Sequence, residues 1–183
     1  SFHVSGPLMM VYWLRDLQFN YIELAILINV SQILGLFSMR YWGKRIDSTG
    51  SYNAIRFTSF WIAIFPLFWV GLFYLPKELS LPGAIVIASL ASLMFSGRAL
   101  ALDNRLYEHM ENKKMIKVTS KRIFFRGLSI FIGGLIGGLL TREEINLVSI
   151  TYLDNVIHFV MIFSAVLRLS VWGAFLGSKN SQI

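Results

Sequence analysis

The sequence predicts an all-α membrane protein, a bundle of six transmembrane helices of which the first is truncated. The chain is 55% hydrophobic with a mean hydropathy of +0.60. Its 183 residues nevertheless carry 17 Lys+Arg and 10 Asp+Glu, and these gather in short clusters between long uncharged runs. A bilayer selects that distribution, whereas a soluble domain spreads charge along every surface helix. Period-two alternation is missing, and an unpaired backbone amide in hydrocarbon costs several kcal/mol, so the spans are expected to be helical.

The first apolar run, residues 4–14, is shorter than the roughly 20 residues needed to cross a bilayer. It also lacks the basic start and small-residue cleavage site of a signal peptide, so we read it as a partial span and the chain as a fragment. The full spans are expected at about Tyr21–Tyr41, Phe57–Leu75, Pro82–Leu102, Ile123–Thr141 and Ser149–Trp172. They make up a half-bundle over residues 1–176, with loops at about 42–55 and 104–122 and a tail over 177–183.

Lys and Arg accumulate in cytoplasmic loops, which fixes the orientation. Arg40, Lys44, Arg45 and Arg56 flank one junction, and Arg105, Lys113, Lys114, Lys117, Lys121, Arg122 and Arg126 flank another. The alternate junctions hold Arg15, Lys77 and Arg142, the last two beside Glu78 and beside Glu143 and Glu144. Both basic loops and the C-terminus are therefore expected in the cytoplasm of a multi-pass protein of the cell membrane. The formal net charge of +7 is explained by this topology, because the cations form no continuous stripe of the kind that tracks nucleic acid.

Within the second span, Asn29 and Gln32 stand three residues apart near the middle. They are candidate cavity residues, with substrate contact and interhelical hydrogen bonding both open. The third span is rich in Phe and Trp, and Pro66 near its middle predicts a kink.

Arg98 falls about 24 Å along a span in a core about 30 Å thick, if counted from Pro82. Either it snorkels to the interface or pairs with Asp103, or it lines the central cavity. In the fifth span, Gly133 and Gly137, and Gly134 and Gly138, are one turn apart, the spacing that lets helix backbones approach closely. Asp154 and His158 in the last span form a candidate proton-titrating pair. Arg168 and Glu23 read as interfacial anchors.

The segment Gly43-Lys44-Arg45-Ile46-Asp47-Ser48-Thr49-Gly50 must reverse the chain at the membrane surface, with glycines free to adopt φ > 0 and Asp47 able to cap the next helix. It resembles the signature loop of the major facilitator superfamily, in which Gly, Asp and Gly recur at this spacing. Ser48 stands where that family prefers a basic residue. The segment Gly133–Leu140 is similar to the family's Gly-Pro-x-x-Gly-Gly stretch, with Gly134 in place of the proline.

The resemblance implies the C-terminal six-helix half of a secondary transporter, which moves a small solute by alternating access against an N-terminal six-helix half. Gly43, Asp47 and Gly50, with Asp103 as an acidic partner, would form its conformational loop. A proton or sodium ion is the candidate coupling ion, and the bilayer is the surrounding partner.

The alternative is a structural or receptor-like membrane subunit that transports nothing. An intramembrane enzyme is disfavoured, because His3, His109 and His158 are dispersed and outside any zinc motif, and the spacing of Ser129 and His158 does not demand a dyad. No cofactor or metal is expected, and the lack of cysteine excludes thiolate chemistry. Sugars, drugs, organic anions and peptides are all open as substrates.

Overall fold

A computed structural model describes residues 9–10, 12–109, 112–140 and 156–174. Over these it is all-α, with six helices in chain order: α1, a single π-helical turn (Tyr12–Asp16), α2 (Tyr21–Thr49), α3 (Ser51–Phe73), α4 (Lys77–His109), α5 (Asn112–Leu140) and α6 (Val156–Trp172). Three of them, α2, α3 and α4, are long and apolar enough to cross a membrane.

The start of α2 is fixed by a reciprocal cap. The Glu23 amide donates to Asn20 Oδ1 at 2.9 Å, and the Asn20 amide donates to Glu23 Oε2 at 2.8 Å. Two of the amides that every helix start leaves without an intrahelical partner are thereby satisfied. Glu23, read from sequence as an anchor, also has this local duty.

The far end of α2 differs from expectation. Residues 42–49 continue the helix, and the reversal is confined to Gly50, at φ 83° and ψ 151°, with α3 starting at Ser51. At 29 residues α2 is about 43 Å long, more than the hydrocarbon thickness of about 30 Å, so its last turns can stay helical beyond an apolar core. Gly50 holds a backbone conformation that essentially only glycine adopts. Gly43 needs no such freedom, because it is helical and a Cβ there would meet nothing within 4 Å. Asp47 lies on the exposed side of α2, and no side chain caps α3. The expected loop at 104–122 is likewise mostly helix, since α4 runs to His109 and α5 starts at Asn112.

The α4 helix packs along both α2 and α3, and α3 packs also on α6. Small residues make the α2–α4 crossing close: a Cβ on Gly35 would strike the Ser92 hydroxyl, and one on Gly97 would strike the Trp42 indole. Trp42 is anchored there by its Nε1–H, which donates to the Leu93 carbonyl at 2.8 Å. The sequence reading placed close packing on the glycines of α5. Gly133 is buried and Gly134 half-buried, but residues 123–132 are exposed and, among the described residues, no helix seats extensively on α5.

Two apolar clusters close the ends of the bundle. One joins Tyr12, Leu27, Trp69, Leu72 and Met161, and the other joins Trp42, Ile46, Ala54, Ile55 and Ala101. Outside, α2 presents Ile22, Leu36 and Phe37 with 73%, 65% and 77% of their surface exposed, a contiguous apolar face that water would disfavour.

Candidate functional site

Between the two clusters lies a cavity of about 400 Å³. Its walls come from Trp13 of α1, Gln32 of α2, Pro66 and Trp69 of α3, Ser92 and Phe95 of α4, and Arg168 of α6, among others. Gln32, Ser92 and Phe95 fall near the middle of their helices, while Trp69 lies toward the end of α3 and Arg168 toward the end of α6.

Pro66 explains why a hydrogen-bond donor is needed here. A proline has no amide hydrogen, and its ring pushes aside the carbonyl four residues earlier, which in α3 belongs to Ile62. That carbonyl needs a donor from outside the helix, because a buried unsatisfied acceptor costs about 1–3 kcal/mol. Arg168 supplies one: its Nη1 donates to the Ile62 oxygen at 3.2 Å. Arg168 is only 8% exposed, so the expectation of an interfacial anchor is corrected to a buried donor that also lines the cavity. One turn later the Trp172 Nε1–H donates to the Arg56 carbonyl at 2.9 Å, and the Arg56 guanidinium sits 5.8 Å from the Trp172 ring centre. These contacts pin the end of α6 along α3.

The three residues singled out for a cavity separate in space. Gln32 lines it. Asn29 is exposed, and its side-chain amide donates to the Ala25 carbonyl of its own helix at 2.8 Å. Both positions are exposed, and only Gln32 borders the cavity, because two positions three apart diverge by about 60° around a helix axis. Arg98 is half-buried on α4 and lies within electrostatic reach of Arg168. The room left by Gly97, expected to serve Arg98, is taken by the Trp42 ring.

His158 is 1% exposed, with its ring edge-on to Phe73 at 4.7 Å and to Tyr12 at 5.8 Å. Tyr12 is itself tied down, its hydroxyl donating to the Trp69 carbonyl at 2.7 Å. Asp154, the expected partner of His158, lies outside the described residues. Ser129 is exposed on α5, and its hydroxyl donates to the Phe125 carbonyl at 2.7 Å. Gly137 and Gly138 belong to the end of α5, where only the backbone is described.

At the Gly50 end, the acidic contacts differ from those expected. Asp103 pairs with Arg122 of α5 at 2.7 Å, both side chains being well exposed. The residue beside the Gly50 turn is instead Glu108, whose Oε1 accepts from the Ser51 hydroxyl at 2.6 Å, while Arg105 sits 5.0 Å from the Tyr52 ring centre. These contacts latch the first turn of α3 to the last turns of α4. Among the described residues, no group of three His, Asp or Glu side chains converges as a metal site would require.

No protein-family model, curated protein or solved structure matches this chain.

Proposed function

We propose that this chain is one half of a secondary transporter of the major facilitator type, moving a small solute across a membrane by alternating access. The cavity carries the reading. A cation buried against helices that can cross a membrane is expensive unless it has polar partners or serves a polar pathway, and Arg168 opens onto a space large enough for a small solute.

Further support comes from the ends of the helices. The basic residues flank the α2–α3 and α4–α5 junctions, which sets those junctions in the cytoplasm by the positive-inside rule. The Gly43–Asp47–Gly50 spacing falls on the first of them, and the Ser51–Glu108 and Tyr52–Arg105 contacts hold α3 to α4 at that surface. A latch there would stabilise one of the two arrangements that alternating access requires. In this reading Gln32 and Arg168 face the solute, Arg98 adds its charge from beside Arg168, and an N-terminal half covers the remaining side.

Counterflow in proteoliposomes tests the proposal. Full-length protein loaded with an unlabelled solute should take up the labelled solute faster than unloaded vesicles do, because an outward-facing empty site is reloaded on each cycle. Saturable binding without any such acceleration, across sugars, amino acids, organic anions and organic cations, would favour the receptor-like subunit instead.

A further inference from the structure

We infer that the cavity selects an organic anion: an acidic group of carboxylate size held by Arg168, with a compact apolar or aromatic body lying among the aromatic side chains. The inference rests on the reading above that this cavity is the solute site, and it names the class of solute.

Among the described residues lining the cavity, Arg168 carries the only charge, and Arg98 brings a second positive charge within electrostatic reach. Both charges attract an anion in the cavity, more strongly in a low-dielectric bundle than in water, and both repel a cationic solute.

Satisfying the Ile62 carbonyl does not by itself call for an arginine. One carbonyl needs one donor, which a neutral glutamine or an indole supplies, as Trp172 does for the Arg56 carbonyl of the same helix. A guanidinium brings a permanent charge and five N–H donors in a planar fork, a geometry that matches a carboxylate.

The rest of the wall fits the same ligand. Trp13 carries a buried indole N–H with no acceptor among the described residues, and an oxyanion supplies acceptors. Gln32 offers an amide that can donate. The same wall is aromatic, with the Trp13 and Trp69 rings 5.4 Å apart between centres and Phe95 also lining the cavity. The volume, at the low end of the range of about 300–1,000 Å³ for small-molecule pockets, suits a compact acid and not a dinucleotide or a two-chain lipid.

The test uses the full-length protein in nanodiscs of zwitterionic lipid, titrated with 2-naphthoate, 2-naphthamide and 2-naphthylmethylammonium, which share a ring system and differ in charge. Naphthoate is expected to bind about tenfold or more tighter than the amide, the factor that one charge-assisted hydrogen bond supplies, and the ammonium more weakly still. In Arg168→Gln the preference for naphthoate over naphthamide should collapse toward one, and Arg168→Lys should retain part of it.

Equal affinity for acid and amide, tighter binding of the ammonium, no binding of naphthoate, or a preference that survives Arg168→Gln would each overturn the inference. Should Arg168→Gln not fold, the three-ligand comparison on the unaltered protein decides alone. Naphthoate binding without counterflow would sink the transporter reading and leave the anion site standing. Counterflow of a neutral or cationic solute without naphthoate binding would do the reverse.

Discussion

If Arg168 is held where it is by the carbonyl that Pro66 exposes, giving that carbonyl a helical donor should weaken the dependence on Arg168. Pro66→Ala restores an amide hydrogen four residues after Ile62, and Arg168→Met removes the distant donor while keeping a long side chain to fill its volume. The Arg168 Nη1–Ile62 O distance of 3.2 Å is at the long end for an N–H···O bond, though its donor is charged. Hydrogen bonds to charged groups contribute about 1.5–3 kcal/mol in water-soluble proteins, while interhelical bonds in a membrane average nearer about 0.6 kcal/mol. A coupling of about 1 kcal/mol lies between these limits.

The assay is a double-mutant cycle on reversible unfolding in mixed micelles, with Pro66→Ala, Arg168→Met and the pair. Arg168→Met should destabilise the parent by about 1 kcal/mol more than it destabilises the Pro66→Ala protein, where the Ile62 oxygen already has a partner. Other contacts of Arg168 are lost in both legs and cancel. A coupling within about 0.3 kcal/mol of zero, the usual error of additivity, would refute the claim that the proline and the arginine are one device.

Two further predictions concern glycines. Gly97→Ala should destabilise the protein by about 2–3 kcal/mol, because the rigid Trp42 indole must move and give up its bond to the Leu93 carbonyl, whereas Gly35→Ala should cost under about 1 kcal/mol, since it meets serine hydroxyls that can rotate; thermal unfolding in detergent ranks the two. Gly50→Ala should cost about 1–3 kcal/mol by forcing a side chain onto φ 83°, while Gly43→Ala in an open helical position should gain up to about 1 kcal/mol, and the same melts compare them.

Much of the helical framework was legible because charge-free runs mark hydrocarbon. The same signal misplaced the end of α2. Hydropathy reports where the apolar core stops, not where the helix stops, and Arg40, Lys44 and Arg45 are as well suited to an exposed helical turn as to a loop. Of the two glycines that bracket the segment, only Gly50 has the torsions that require one.

The site was legible in part. Asn29 and Gln32 looked alike in the sequence, two mid-span amides three apart, and which of them borders the cavity depends on how α2 meets its neighbours. Arg168 was missed as a cavity residue because a charge near the end of an apolar run reads as snorkelling. The usable signal was Pro66: a proline inside a span removes the helical donor to the carbonyl four residues earlier, and here a side chain distant in sequence, Arg168, meets it. The close crossing of α2 and α4 was also written in small residues, Ser92 and Ser96 one turn apart opposite Gly35, a weaker pattern to the eye than the doubled glycines of α5.

Hydrocarbon must cover the exposed apolar face of α2, and single-cysteine labelling measures this directly in a full-length protein from which cysteines outside these 183 residues are removed; these residues contain none. Asp47→Cys, Lys77→Cys and Phe37→Cys, each in the full-length protein in cells, would be exposed to a membrane-impermeant maleimide before and after the cytoplasmic side is opened. Position 77 should label from outside, position 47 only after opening, and position 37 from neither side, although Phe37 is 77% exposed in the isolated chain. Labelling at 37 as fast as at 47, or labelling of 47 and 77 from the same side, would contradict a membrane-crossing α2 and α3 and with them the transporter.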